Sequence, residues 1–358
     1  MATSLLWIGA EDLDFLPING SFGNSQAGNW SSIYCSNSFH NIQCYRTGYA
    51  RSAVCPDVTS YVRAPNFGNL TTLWISGRVS VDSNSMSGGP GADFLRILDP
   101  SGTIRLVLNN DYGQDSIGAP SLYTVTAAGV RTLIKTASGG FSPPKSTQGD
   151  RIDIECVYGA SGTFNVWING VQVLAFAGNL VTDSNAYVAQ VDFGKFGVGG
   201  YHNNSVLCGW SECFVASSDT RGIVGIVTVP PAADGATQNW SGTFADIDTI
   251  LYNDAVVVST TAAATVGQFT TATAPPAGSF AVDSVWVSCR AQAGSTAPQH
   301  LDLGVHVAGA DYFAAASALA PGMADYQVAF SDNPATAAPW TYASVAAGDV
   351  GITLQSAA

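Results

Sequence analysis

GTFNVWINGVQVLAF (Gly162–Phe176) decides the fold. Apolar and polar residues alternate on both sides of Asn169-Gly170. Alternation with period two is the signature of a strand with one buried face. Asn-Gly between two such runs is a strong short-range signal for a two-residue hairpin, because both turn residues must adopt positive φ. Working outward, the same grammar repeats. LWISGRVSV (Leu73–Val81) alternates cleanly. FLRILDPSGTIRLVL (Phe94–Leu108) reads as two strands around Asp-Pro-Ser-Gly, and SLYTVTAAGVRTLIKTA (Ser121–Ala137) as two around Ala-Ala-Gly. No long amphipathic helix is visible. Many short strands with frequent turns predict an all-β chain, a sandwich or jelly roll.

Composition agrees and narrows the function. The 358 residues are 46% hydrophobic and only 11% charged, which suits packed cores rather than disorder. The formal net charge of −13 argues against nucleic acid and against an anionic membrane surface, since both call for a basic patch. No apolar run reaches the length of a membrane span. The opening MATSLLWIGAEDLDF has neither a basic flank nor a small-residue cleavage site, so folding in a cytoplasm and release by lysis are the expectation. Asn-x-Ser/Thr sequons then read as turns.

A boundary falls after CFVASSDTRG. Residues 1–222 are expected to form the jelly roll and 223–358 a smaller sandwich. VTVPPAADGATQNW reads as a Pro-rich linker. AVVVST (Ala255–Thr260), SFAVDSVWVSCRAQA (Ser279–Ala293) and LDLGVHVAGADYF (Leu301–Phe313) read as strands of the second domain.

Reactive chemistry is sparse. RIDIE (Arg151–Glu155) is like the Glu-x-Asp-x-Glu strand of laminarinase-type glucanases, which aims three carboxylates at one face. Here Arg151 replaces the first of them. Without a nucleophile–acid pair, the strand reads as an ordinary one whose polar face meets solvent, and the chain is not expected to be an enzyme. There is no G-x-S-x-G, and no phosphate loop follows GGPGADF. NNDYGQD (Asn109–Asp115) offers oxygen atoms for calcium but lacks the spacing of a calcium loop, so it reads as a solvated turn. No cofactor or metal is expected.

Seven cysteines are an odd count and no disulfide framework. Cys156 and Cys289 read as core thiols. Cys208 and Cys213 can pair locally, as can two of the three near the start, Cys35 with Cys44 among them. Loops that mix aromatic and amide groups suit sugar rings, and they nominate Tyr112, Tyr201, His202, Asn203 and Asn204 as glycan-binding residues.

The ending DNPATAAPWTYASVAAGDVGI (Asp332–Ile352) resembles the C-terminus of a group of tailed-phage and prophage virion proteins. The likeness continues through ECFVASSDTRG (Glu212–Gly222), VTVPPAADGATQNWSG, GTFNVWINGVQV, LLWIGAEDLDF and RSAVCPDVTSYVRAPNFGNLTTLWISGRVSV, in that family's order. It implies a concanavalin-like (LamG-type) jelly roll followed by a smaller β-sandwich. In that pattern Asp332 or Asn333 starts a turn, Trp340 anchors the core, Thr341 caps a short helix that Gly348 ends, and Val350, Ile352 and Leu354 mark a closing strand. The cysteine-rich stretch Cys35–Cys55 and the Cys208/Cys213 pair depart from it. The resemblance implies a structural protein on the particle surface, as tail fibre, receptor-binding or head-decoration component. Its implied partners are other virion proteins, copies of itself (as a trimer or in the particle's symmetry) and host cell-surface polysaccharide. A glycan depolymerase on the particle and a free carbohydrate-binding protein are the alternatives.

Overall fold

The computed structural model describes residues 5–9, 32–35, 40–43, 51–55, 59–83, 92–111, 119–141, 150–196, 206–222, 229–247, 256–271, 281–295, 298–346 and 350–357. Two compact units divide the chain, one spanning residues 3–226 and the other 227–358.

The first unit is a two-layer jelly roll. In chain order its strands are β1 (Leu5–Gly9), β2 (Ser32–Cys35), β3 (His40–Gln43), β4 (Arg51–Cys55) and β5 (Thr59–Arg63). Next come β6 (Thr72–Ser83), β7 (Ala92–Leu98), β8 (Ile104–Asp111), β9 (Ala119–Val125) and β10 (Arg131–Thr136). The last five are β11 (Asp150–Val157), β12 (Gly162–Ile168), β13 (Val171–Gly178), β14 (Gln190–Phe196) and β15 (Val206–Ala216). One layer is an eight-stranded antiparallel sheet in the order β13-β12-β11-β6-β15-β4-β3, with β1 also on β15. Its partner has seven strands in the order β10-β9-β8-β7-β14-β5-β2.

Alternation does the sorting. Ile152, Ile154 and Cys156 on β11, with Phe164, Val166 and Ile168 on β12, enter one core. Leu106 and Leu108 on β8 and Phe193 on β14 meet them from the other sheet. The opening hairpin forms as read: Asn169 and Gly170 have φ of 49° and 79°, the geometry a two-residue turn demands. The Asp99 turn joins β7 to β8 and is tied to two neighbouring segments. Asp99 Oδ1 accepts from the Ser101 N–H (2.8 Å), the Ser101 hydroxyl (2.6 Å) and the Thr103 N–H (3.0 Å). Its Oδ2 accepts from Arg105 Nε and Asn185 Nδ2, each at 2.8 Å.

The second unit contains β16 (Pro231–Gln238), β17 (Val266–Thr271), β18 (Val285–Ala291), β19 (His300–Val307), β20 (Ala310–Phe313) and β21 (Ser317–Ala318). It continues through β22 (Ala324–Phe330), β23 (Asp332–Asn333), β24 (Ala338–Pro339), the short helix α1 (Tyr342–Ala346) and β25 (Val350–Ala357). Its main sheet runs β16-β17-β25-β19-β20, with β21 beside β19, and β18 pairs with β22. Phe269, Leu303, Val305, Trp340 and Leu354 build its core.

Two expectations change here. The stretch read as a linker supplies β16, an edge strand. Proline is tolerated there because an edge leaves N–H positions with no ladder bond to make. AVVVST, read as a strand, has no place in the ladder. Both sides of β17 are taken by β16 and β25, and Val256 and Val257 are left exposed with a single bridge from Ser259 to Ser241.

The quoted ending folds around its tryptophan. Asn333 starts the turn, its Oδ1 accepting from the Ala335 N–H at 2.9 Å. The Thr341 hydroxyl accepts from the Ser344 N–H at 3.1 Å and caps α1. Trp340 is buried, and its Nε1 donates to the Phe330 carbonyl at 2.7 Å. Gly348 lies outside the described residues.

Replacing Trp340 by alanine opens a cavity and strands that carbonyl. It should lower the stability of the second unit by about 3–5 kcal/mol in urea unfolding, with the first unit's transition unmoved. Asp99 yields a prediction in pH. Burial pushes its pKa up, but the bonds from Ser101, Thr103, Arg105 and Asn185 outweigh that and hold it at about 2. Its stabilisation is therefore present above the ordinary carboxylate range and lost as pH falls from there through about 2. Acid unfolding of Asp99→Asn should start from a lower stability and show a shallower loss over that window.

Candidate functional site

Each sheet of the jelly roll has an outward face, and the two faces differ. On the eight-stranded sheet the RIDIE strand is β11. Its polar side was expected to meet solvent; instead Arg151 is 9% exposed and Asp153 is 3% exposed. The reason is the chain's own exit segment. Thr220 is fully buried, with its hydroxyl 2.5 Å from that of Ser76, which in turn donates to Asp153 Oδ1. Arg151 donates to the same Oδ1 and lies 4.4 Å from the ring centre of Phe214. Farther along, Arg221 sits over Trp74 and Trp167, whose rings stack 5.8 Å apart, and pairs with Asp219. Over Ser76, Trp74, Asp153 and Trp167 the face is covered by the chain's own Thr220 and Arg221.

The seven-stranded sheet carries the other. Ladder register sets Arg63, Asp192, Arg96, Val107 and Tyr123 in one row across β5, β14, β7, β8 and β9. A second row runs from Phe196 through Asp93 and Asn109 to Ser121. Arg63 clasps Asp192 with two bonds, Nε to Oδ1 at 2.6 Å and Nη2 to Oδ2 at 2.8 Å. Arg131 clasps Asp93 through both carboxylate oxygens, and Asn109 Nδ2 adds a third donor at 2.8 Å. Those bonds raise the pKa of both Arg63 and Arg131, so both stay charged. Arg96 lies flat on Phe196 at 3.7 Å from the ring centre, and Tyr61 packs on that ring at 5.1 Å. The aspartates are buried, whereas the side chains of Arg63, Arg96 and Arg131 keep 25%, 17% and 26% of their surface in solvent. Partly exposed guanidiniums and the half-buried rings of Tyr61 and Tyr123 thus border a buried anionic floor, while the Phe196 ring is fully buried beneath Arg96. Such a surface can stack on a sugar ring and donate planar pairs of hydrogen bonds to its oxygen atoms.

The residues nominated from sequence fall elsewhere. Tyr112, Tyr201, His202, Asn203 and Asn204 lie outside the described residues. The strands next to them end together: Asn110 of β8 pairs with Ala92 of β7, and Phe196 of β14 pairs with Asp93. Asn109–Asp111, read as part of a solvated turn, belong to β8, with Asn109 and Asn110 buried. Cys156 is buried as expected, and burial holds its thiol protonated. The local pairing of Cys208 with Cys213 is corrected. Both lie on β15, five residues apart and on the order of 15 Å along an extended strand, and a disulfide needs Cα atoms within about 7 Å. Cys208 instead stands opposite Cys55 in the ladder. Cys35 ends β2, and Cys44 lies outside the described residues. Sequence reading missed the arginine face, although SYVRAP already sets Tyr61 and Arg63 two residues apart on one side of a strand.

No protein-family model matches the chain, and no curated protein matches it by sequence. Solved structures do. An endo-β-1,4-glucuronan lyase from the fungus Trichoderma reesei is 11% identical, with a TM-score of 0.36 over 61% of this chain and 95% of that one. The alginate lyase Aly36B is 15% identical, with a TM-score of 0.30 over 61% and 98%. A tetrameric galectin from the ball sponge Cinachyrella sp. is 13% identical, with a TM-score of 0.30 over 43% and 97%. The chain is an all-β protein of this jelly-roll and sandwich class. The expectation that the chain is not an enzyme is corrected to an open one, since lyases are among these solved structures. A missing carboxylate pair speaks only to glycosidic hydrolysis by that pair.

Removing Arg131 leaves Asp93 buried with weaker partners. Arg131→Ala should cost about 2–3 kcal/mol in urea unfolding, below the roughly 3–5 of a fully stripped buried pair, because Asn109 and Arg96 remain. Adding Asp93→Ala should recover part of that loss, which a double-mutant cycle reads directly.

Proposed function

We propose that the chain is a glycan-binding structural protein of a tailed-phage particle, and that the outward face of the seven-stranded sheet holds the sugar. The observation that carries the glycan reading is the joint presentation of Arg63, Arg96 and Arg131 with Tyr61 and Tyr123 on one sheet face. Aromatic rings supply flat apolar contact for a pyranose, and guanidiniums supply fixed donors for its hydroxyl and acidic groups. Support for the virion reading is the order of motifs along nearly the whole chain, ending in the turn, tryptophan, capped helix and strand of Asn333–Ala357. On this reading the protein is made in the host cytoplasm and exposed on the particle. It assembles there with other virion proteins as a homo-oligomer that follows the particle's symmetry, and the sugar belongs to the host surface.

Immunogold electron microscopy of purified particles, with an antibody against this chain, tests the location. Label at the tail tip assigns receptor binding, and label over the head assigns decoration. Absence of label from intact particles overturns the virion reading and leaves a free carbohydrate-binding protein.

A further inference from the structure

One guanidinium of the arginine face is under-satisfied. Arg63, Arg96 and Arg131 meet the two buried carboxylates Asp93 and Asp192. Each carboxylate is already committed to a two-pronged clasp, Asp192 to Arg63 and Asp93 to Arg131. Arg96 lies between the two clasps, directly opposite Asp192 in the ladder. Its one contact with a carboxylate is long, Nη2 to Asp93 Oδ2 at 3.4 Å, and its Nε–H is buried without a hydrogen-bond partner. The rest of its support is the face of Phe196 at 3.7 Å. A guanidinium offers five donors, and Arg96 leaves most of them unused in a setting where an unmet charge is costly. Burial in fact lowers its pKa, with Asp93 and Asp192 only partly opposing. The arrangement nonetheless keeps the side chain 17% exposed, so a ligand can reach it.

We propose that Arg96 is the ligand-reading group of this face and that the glycan it binds is anionic, a carboxylate or sulfate of the sugar supplying the missing counter-charge. This deepens the glycan-binding reading and rests on it. The neighbouring clasps then have a definite role. They hold Arg63 and Arg131 as fixed walls of positive charge, while the Asp93–Asn109–Arg131 network and the Phe196 ring fix the direction in which Arg96 points. Tyr61 packs on the same Phe196 ring that supports Arg96. The site also explains how a protein of net charge −13 could still hold a polyanion: its guanidiniums reach solvent while the carboxylates that pair with them are buried.

The test is affinity electrophoresis and titration calorimetry of the full chain against three oligosaccharide sets: neutral glucans, polyuronates and sulfated galactans. The wild-type chain should retain an anionic set over the neutral one, with affinity falling as salt rises. Arg96→Gln should weaken that set by about tenfold or more, the equivalent of one charge-assisted hydrogen bond, and narrow its preference over the neutral set. Arg96→Lys, which keeps the charge but not the planar fork, should fall between them. Polyuronate retention assigns the carboxylate, and sulfated-galactan retention assigns the sulfate. A thermal melt of each variant separates loss of binding from loss of fold, and Tyr61→Phe gives a second variant with the charge intact. Preference for neutral glucans, or unchanged anionic affinity in a folded Arg96→Gln, overturns the inference while the glycan-binding reading stands. Retention of none of the three sets overturns both.

Discussion

A strand in a two-layer sandwich has two faces and only one core to give them to. The outward face of each sheet must therefore find its own partner. On the eight-stranded sheet the partner is the chain itself: Ser217–Gly222 folds back so that Thr220 reaches Ser76 and Arg221 covers the Trp74–Trp167 stack. On the seven-stranded sheet the polar groups pair sideways, Asp192 with Arg63 on the next strand and Asp93 with Arg131 three strands away. That difference decides where a ligand can go. Where the chain covers itself a ligand has little to reach, whereas a face of laterally paired charges leaves guanidinium edges in solvent beside half-buried tyrosine rings.

Hairpins were the most legible part of the fold, because a hairpin is written in adjacent residues. Asn169-Gly170 names its own turn, Asp99-Pro-Ser-Gly does nearly as well, and Trp340 with Asn333 and Thr341 marks the closing elements. Errors arose where a strand's fate depends on which edges are free. AVVVST has ample β propensity but finds no unpaired neighbour. The Pro-rich stretch has little propensity, yet it becomes β16 because an edge beside β17 is open. Propensity proposes a strand, and the remaining ladder positions accept or refuse it.

The candidate site was nearly invisible for a related reason. Arg63 and Asp192 are 129 residues apart, and Arg131 and Asp93 are 38 apart. Their meeting is a product of strand order, β10-β9-β8-β7-β14-β5, that no local pattern records. The sequence does show on which side of its own strand each residue lies, as with Tyr61 and Arg63. It does not show which strand comes next. RIDIE illustrates the converse: a motif legible in isolation whose meaning was changed by Thr220 and Phe214, residues more than sixty positions away.

Buried ion pairs are weak evidence of stabilisation, because desolvating both partners offsets most of their attraction. Two such pairs on one sheet face therefore call for another explanation than stability. Apolar residues at Asp93, Asp192, Arg63 and Arg131 would fold at least as well and would leave a flat greasy surface. What the pairs provide is rigidity of charge: each aspartate fixes a guanidinium at a set height above the sheet, and neither can collapse onto a neighbour. With those positions fixed, the third guanidinium keeps only a long contact to Asp93, and its exposed edge is left for a ligand. The cost of keeping Arg96 charged and under-satisfied is then the cost of a prepared anion site, one that a bound acidic sugar would remove and that a purely structural face would have no reason to bear.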